Sequence, residues 1–274
     1  MTIRNLRNID FETLIGCFLD CFEGYFVRMP SDIEYYRKRW RMAKVDLALS
    51  FGAFDRDNLV GFLIHAVDRR NNELIAHNTG TGVLANYRGR HIVDAIYDHA
   101  LPILKEKGIE KSTLEVITEN IPALKAYERI GFERIRGLRC YSGNISVKKE
   151  RTDFNLQKVH FNAFDWGRTD QSQYSWDNHI QTVRSGPFVV YVVHRGSDWE
   201  SYFVINPTTR YLAQFEVLTE TECSWERLFS AIAKISKTVK INNVDQSLKY
   251  KIDFLNHIGL TNTVDQYEIE LLLK

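Results

Sequence analysis

No run in these 274 residues approaches the roughly 20 consecutive apolar side chains of a membrane-spanning helix. The opening MTIRNLRNIDFETL lacks the basic-then-apolar order of a secretory leader. Cysteine is sparse: Cys17, Cys21, Cys140 and Cys223 are too few and too scattered for a disulfide framework. Cys17 and Cys21 stand one helical turn apart, but no His or second Cys pair completes a zinc site, so no metal is expected. Neither sign of charge dominates, with 36 Lys and Arg against 35 Asp and Glu and a net charge of +1. That balance argues against nucleic-acid and membrane partners, and any anion site must be local. The expectation is a reduced, cytoplasmic protein with length enough for two domains.

What is present is an ordered series of elements. Residues 2–6 form a short candidate strand. Asp10 can cap a helix in which Phe11, Leu14, Phe18 and Phe22 recur at helical spacing. Ser31, with Glu34 three residues on, has the capping-box pattern ahead of Ile33, Tyr36 and Trp40. Residues 48–54, 59–67 and 73–84 read as antiparallel strands joined by turns at 55–58 and 69–72.

The stretch 81–132 organises the rest. A strand end leads into the basic loop Tyr87-Arg88-Gly89-Arg90-His91-Ile92-Val93 and then into an amphipathic helix over about 92–107, closed by Gly108. Pro102 inside that helix predicts a kink or an early end. A strand over 113–117 and a helix over 121–130, stopped by Gly131, complete the stretch. A basic loop at a helix N-terminus is suited to phosphate, because unpaired N–H groups and the positive end of the helix dipole point at the anion. Gly89 lets backbone approach such a ligand. Taken alone, the loop reads better as a basic surface turn that starts a helix.

This order resembles the GNAT (Gcn5-related) acyl-CoA N-acyltransferase family. The loop from Arg88 to Val93 sits where that family has its pyrophosphate loop, with His91 and Val93 at the positions of its usual glycines. The run Asn120, Ala123, Tyr127, Gly131-Phe132 matches a second family segment. The resemblance implies an α/β (α+β) fold, a mixed, mostly antiparallel sheet flanked by helices. It implies acetyl-CoA as co-substrate, direct transfer of the acyl group, and a small-molecule or peptide amine as acceptor. Arg88, Gly89, Arg90, His91, Ile92 and Val93 would hold the diphosphate. Val83, Leu84, Asn120 and Ala123 would lie along the pantetheine arm, and Tyr127 would give a proton to the departing thiolate. His77 is the candidate base, with Glu73, Glu115 and Glu119 the nearby carboxylates. Each has a plainer reading: Asn120 as a helix cap, Tyr127 as core, His77 as a packed strand histidine. The aromatics Phe22, Tyr25, Phe26, Tyr35, Tyr36 and Trp40 fall on the family's acceptor side, and helix core is the plainer reading for most.

Past the polar run 142–153 the same order recurs: strands at 156–161, 187–193, 201–205 and 210–218, helices at 175–184, 225–235 and 248–258, strands at 239–244 and 264–273. The segment 252–260 aligns with 124–132. Two tandem domains are therefore expected, 1–145 with the cofactor loop and 146–274 without it. Leu218-Thr219-Glu220-Thr221-Glu222-Cys223-Ser224 has no Gly or Arg, and its carboxylates repel a diphosphate. Leu255 stands where Tyr127 stands. The second half is expected to pack on the first, shape the acceptor cleft or mediate a homodimer. The rival to an enzyme is a non-catalytic acyl-CoA-binding or protein-interaction module.

Overall fold

The computed structural model describes residues 1–273 and divides into two compact units. One holds residues 1–135 together with the chain from Tyr267 onward; the other is Arg136–Gln266. No helix among the described residues is long and apolar enough to cross a membrane.

The first unit runs β1 (Thr2–Asn5), α1 (Phe11–Cys21), α2 (Ile33–Ala43), β2 (Phe51–Asp55), β3 (Asn58–Arg70), β4 (Glu73–Val83), α3 (Ile92–Glu106), β5 (Lys111–Ile117) and α4 (Ile121–Ile130). Strands β1 to β4 are antiparallel neighbours, and β5 joins β4 in parallel. Two apolar layers cover the sheet. Ile92, Ile96 and Tyr97 of α3 and Leu124 and Tyr127 of α4 pack with Leu63, Leu114 and Val116 on one face. Leu14 and Phe18 of α1 and Tyr36 and Trp40 of α2 pack with Phe62 and Ile64 on the other. The α2 cap is Asp32, whose carboxylate accepts the Glu34 N–H at 3.0 Å, and not Ser31. Pro102 does not end α3, which continues to Glu106. The bond it removes would have gone to Asp98, an exposed residue.

The second unit contains most of β6 (Glu133–Asn144), then β7 (Asn155–Val159), α5 (Ile180–Val183), β8 (Val189–Arg195), β9 (Asp198–Asn206), β10 (Tyr211–Val217), α6 (Ser224–Ile235), β11 (Thr238–Asp245), α7 (Lys249–His257) and the start of β12 (Thr261–Leu272). The helix expected over 175–184 is confined to α5, preceded by 3-10 turns whose starts are capped by Asp165, Asp170 and His160.

The boundary differs from the expected 145/146. Strand β6 starts in the first unit and crosses into the second, where it pairs with β11. The last strand returns, and β12 is the neighbour of β5. There Tyr267, Ile269 and Leu271 enter the first unit's core, and Glu270 meets Lys111 at 3.4 Å. Each unit is thus completed by chain from the other half of the sequence. An alternating strand reads the same whichever sheet receives it, which is why periodicity did not reveal the exchange.

Candidate functional site

The site begins where β4 and β5 part. Their parallel pairing holds at Ile75–Lys111, Ala76–Ser112 and His77–Thr113, and both strands then continue unpaired to each other. On its other side β4 carries a bulge: the β3 register steps from Ile64–Gly80 to His65–Asn78, leaving Thr79 extra. The Asn78 side chain stabilises the step by accepting the Gly80 N–H at 3.0 Å. Leu84 gives its N–H to Val60 at 2.9 Å. By the alternation of an antiparallel ladder, Thr81 and Val83 then turn their backbone groups away from β3, into the opening left by β5. Val83 thus faces the opening, with its carbonyl accepting from Arg88 Nε at 3.1 Å, whereas the Leu84 N–H is committed to β3. Alternate glycines bring α1 against this strand. A methyl group at Gly82 would lie 2.7 Å from the Cβ of Cys21.

The loop after β4 presents backbone donors. Among the described residues, the N–H groups of Gly89, Arg90, His91, Ile92 and Val93 donate to no backbone carbonyl, while Ala95 closes the first α3 bond onto His91. His91 adopts a left-handed conformation (φ 55°), the geometry that glycine takes most easily. Its side chain is 72% exposed and lies 3.5 Å from the Asp94 carboxylate, so the ring leaves the turn open. Two hydrogen bonds from Arg129, each 3.1 Å, hold the Asp94 carboxyl below its usual range and offset its charge near the loop. Ile92 is buried and Val93 half-buried in the α3 core, leaving their N–H groups as their contribution to the loop. Arg88 donates to the Val83 and Cys21 carbonyls, and Arg90 to that of Asn86, so both guanidinium groups brace the turn from within.

Tyr127 lies in the α3/α4 core with its ring 5.5 Å from Phe132 and 6.2 Å from Tyr97. Its hydroxyl emerges beside β4, 3.3 Å from Asn78 Nδ2. Burial raises its pKa, so the phenol stays protonated. Asn120 caps α4 by accepting the Ala123 N–H at 3.3 Å, and its amide donates to the Tyr25 hydroxyl at 3.4 Å. Tyr25 thereby brings the α1–α2 loop to the α4 N-terminus. A cavity of ≈ 500 Å³ opens in that loop, lined by Phe22, Glu23, Tyr25, Val27, Arg28 and Met29. Phe26 and Tyr35 are exposed there, whereas Tyr36 and Trp40 are core.

His77 approaches from the opposite face. Leu114 and Val116 point into the α3/α4 core, so Thr113 and Glu115 point the other way. His77 joins them, with Nδ1 3.0 Å from the Thr113 hydroxyl and Nε2 3.3 Å from Glu115. One Glu115 oxygen is buried and has no hydrogen-bond partner among the described residues. Glu73 pairs with Lys111 at 2.8 Å, and Glu119 with the Thr118 hydroxyl at 2.9 Å. Sequence reasoning missed Asn78, Thr81 and Tyr97. The available signal was an Asn in mid-strand, a residue depleted there unless its amide is used.

Residues 11–132 match the model of the acetyltransferase (GNAT) family. The match lies within the first unit. It is 31% identical over 93 residues to N-alpha-acetyltransferase 30 of Schizosaccharomyces pombe, covering 34% of this chain and 62% of that one. It is equally similar, over the same length and share of this chain, to N-alpha-acetyltransferase MAK3 of Arabidopsis thaliana, of which it covers 49%. The chain thus spans less than two thirds of the length of these curated relatives. In fold it is similar to a tandem GNAT protein from the clavulanic acid biosynthesis pathway, with a TM-score of 0.72 at 13% identity, covering 100% of this chain and 98% of that one. The chain has the tandem GNAT fold.

Its second GNAT-like unit repeats the scaffold with different contents. Parallel β10 and β11 pair only at Tyr211–Lys240, and Cys223 before α6 is left-handed (φ 62°) as His91 is before α3. The opening between β10 and β11 is filled by the unit's own chain. Asn178 donates to the Asn242 carbonyl at 2.8 Å, and its own carbonyl accepts from Gln214 at 2.6 Å. Buried Lys251 reaches Glu216 at 2.7 Å and Gln173 at 2.6 Å. At the loop, fully buried Arg227 donates to Glu200 at 2.7 and 2.8 Å and to the Thr221 hydroxyl and Glu222 carbonyl. A guanidinium belonging to the protein already serves the loop's acceptors.

Proposed function

We propose that the first unit is an N-acyltransferase that moves an acetyl group from acetyl-CoA to an amine by direct transfer. The observation that carries this reading is the convergence, within one unit, of free loop amides, an unpaired β4 edge and the Tyr127 hydroxyl. Acetyl-CoA would supply an activated thioester. The N–H groups from Gly89 to Val93 would hold its diphosphate, and the Thr81 and Val83 backbone would pair with the pantetheine arm. His77, backed by Glu115 at Nε2, would take the amine's proton through the Thr113 hydroxyl that meets Nδ1, as nitrogen bonds to the carbonyl carbon. The carbon–sulfur bond then breaks, and Tyr127 gives its proton to the thiolate. Base and acid stand on opposite faces of the sheet, so the acceptor enters on one side and the thiol departs on the other.

The N-alpha-acetyltransferase relatives support an α-amino group as acceptor, and the cavity beside Tyr25 is the acceptor entrance in this reading. The second unit holds no cofactor and does not catalyse; its self-filled opening and the Arg227 network support that assignment. A reducing, cytoplasmic compartment belongs to the same proposal, supported by the four free cysteines. The experiment is thiol release from acetyl-CoA with a panel of unblocked peptides and simple amines. Amine-dependent release is expected, reduced about 10²-fold or more in Tyr127→Phe. Binding of acetyl-CoA without release would favour the non-catalytic module.

A further inference from the structure

The buried cluster around Tyr127 is built on an amide nitrogen that faces three hydroxyls. Asn78 Nδ2 lies 2.7 Å from the Thr81 hydroxyl, 3.0 Å from that of Tyr97 and 3.3 Å from that of Tyr127. The amide nitrogen can only donate, and its two hydrogens serve at most two of its three neighbours. The amide orientation is fixed, since the oxygen accepts the Gly80 N–H at the bulge. The amide therefore offers the three hydroxyls no acceptor, and their hydrogens are left for acceptors other than Asn78.

We propose that Asn78 is a positioning residue: by donating and never accepting, it drives the hydroxyl hydrogen of Tyr127 toward the opening between β4 and β5. This rests on the acyltransferase reading and adds to it the group that orients the acid. Tyr97 is sealed in the core at 0% exposure, so Tyr127 is the tyrosine placed to release a proton outward. An acceptor at position 78 would draw the hydroxyl hydrogens inward and disarm it.

Asn78→Asp makes that change with little change of shape, and its carboxylate can still cap the Gly80 N–H. The titratable groups around it are Tyr97 from α3, Tyr127 from α4, His65 from β3 and His77 beside it in β4, with Glu115 beyond His77. Burial keeps both phenols protonated and lowers the His65 pKa to about 4. A carboxyl introduced here would titrate high for the same reason and would regain a donor when protonated.

The test is the pH profile of thiol release from acetyl-CoA with the fastest amine of the panel, alongside acetyl-CoA binding. We expect N78D to bind acetyl-CoA as wild type does, to lose about tenfold or more in kcat near neutrality, and to recover relative to wild type as pH falls. A folded N78D with wild-type kcat and an unchanged profile overturns the assignment, as does a loss confined to acetyl-CoA binding. Asn78→Ala serves if N78D does not fold: a lowered kcat with unchanged KM for acetyl-CoA and no acidic recovery is expected, and an unchanged kcat overturns it. No thiol release by wild type overturns the acyltransferase reading itself, and the assignment with it.

Discussion

Arg88 Nη2 donates to the Cys21 carbonyl at 2.9 Å, while its Nε donates to the Val83 carbonyl at 3.1 Å. One planar group thus ties the end of α1 to the end of β4. The Cys21 carbonyl is one of the acceptors that a helix leaves unsatisfied at its C-terminus. Arg88→Ala should cost about 1–2 kcal/mol in equilibrium denaturation. Arg88→Lys should recover only part, because one ammonium does not reproduce the fork. Full stability in Arg88→Ala would contradict this role.

His91 holds a left-handed backbone with its ring in solvent. His91→Gly relaxes that conformation but frees the unfolded chain, two effects of about 1 kcal/mol each and opposite sign. Stability should therefore change little, and acetyl-CoA affinity in calorimetry should hold or improve, since the amides remain and a side chain leaves. A tenfold loss of affinity would mean that the imidazole itself binds the ligand.

The loop, the α4 segment and the order of elements were legible in the sequence because each is a local pattern: a basic turn before a helix, or Asn120 and Gly131 bracketing Tyr127. The cluster of Asn78, Thr81, Tyr97 and Tyr127 was not, since it is assembled from β4, α3 and α4 and only a bulge aims Asn78 at the tyrosines. Arg227 was equally hidden. On an amphipathic helix it reads as a surface charge, and only its meeting with Glu200 of β9 makes burial tolerable. The exchange of β6 and β12 left no trace because both strands alternate in either sheet.

The Arg227–Glu200 pair makes the second unit sensitive to acid. Burial pushes the Glu200 carboxyl up, but its bonds to Arg227 and Thr221 outweigh this and leave it below its usual value of 4.5. A depressed folded-state value means stability that is present above the unfolded pKa and lost as pH falls through the folded one. Arg227→Met reverses the sign by leaving a buried carboxylate alone. It should cost about 3–5 kcal/mol at neutral pH, and the gap to wild type should narrow toward pH 4 in denaturation measured across that range. A gap independent of pH would contradict the pairing.

The central claim is that one of the two repeats holds acyl-CoA and the other fills the equivalent space with its own side chains. Titrating the full 274-residue chain with acetyl-CoA by calorimetry tests it most directly. A stoichiometry of one acetyl-CoA per chain is predicted. Two would show that the Arg227 and Lys251 networks do not close the second unit, and none would contradict the account of the loop from Gly89 to Val93.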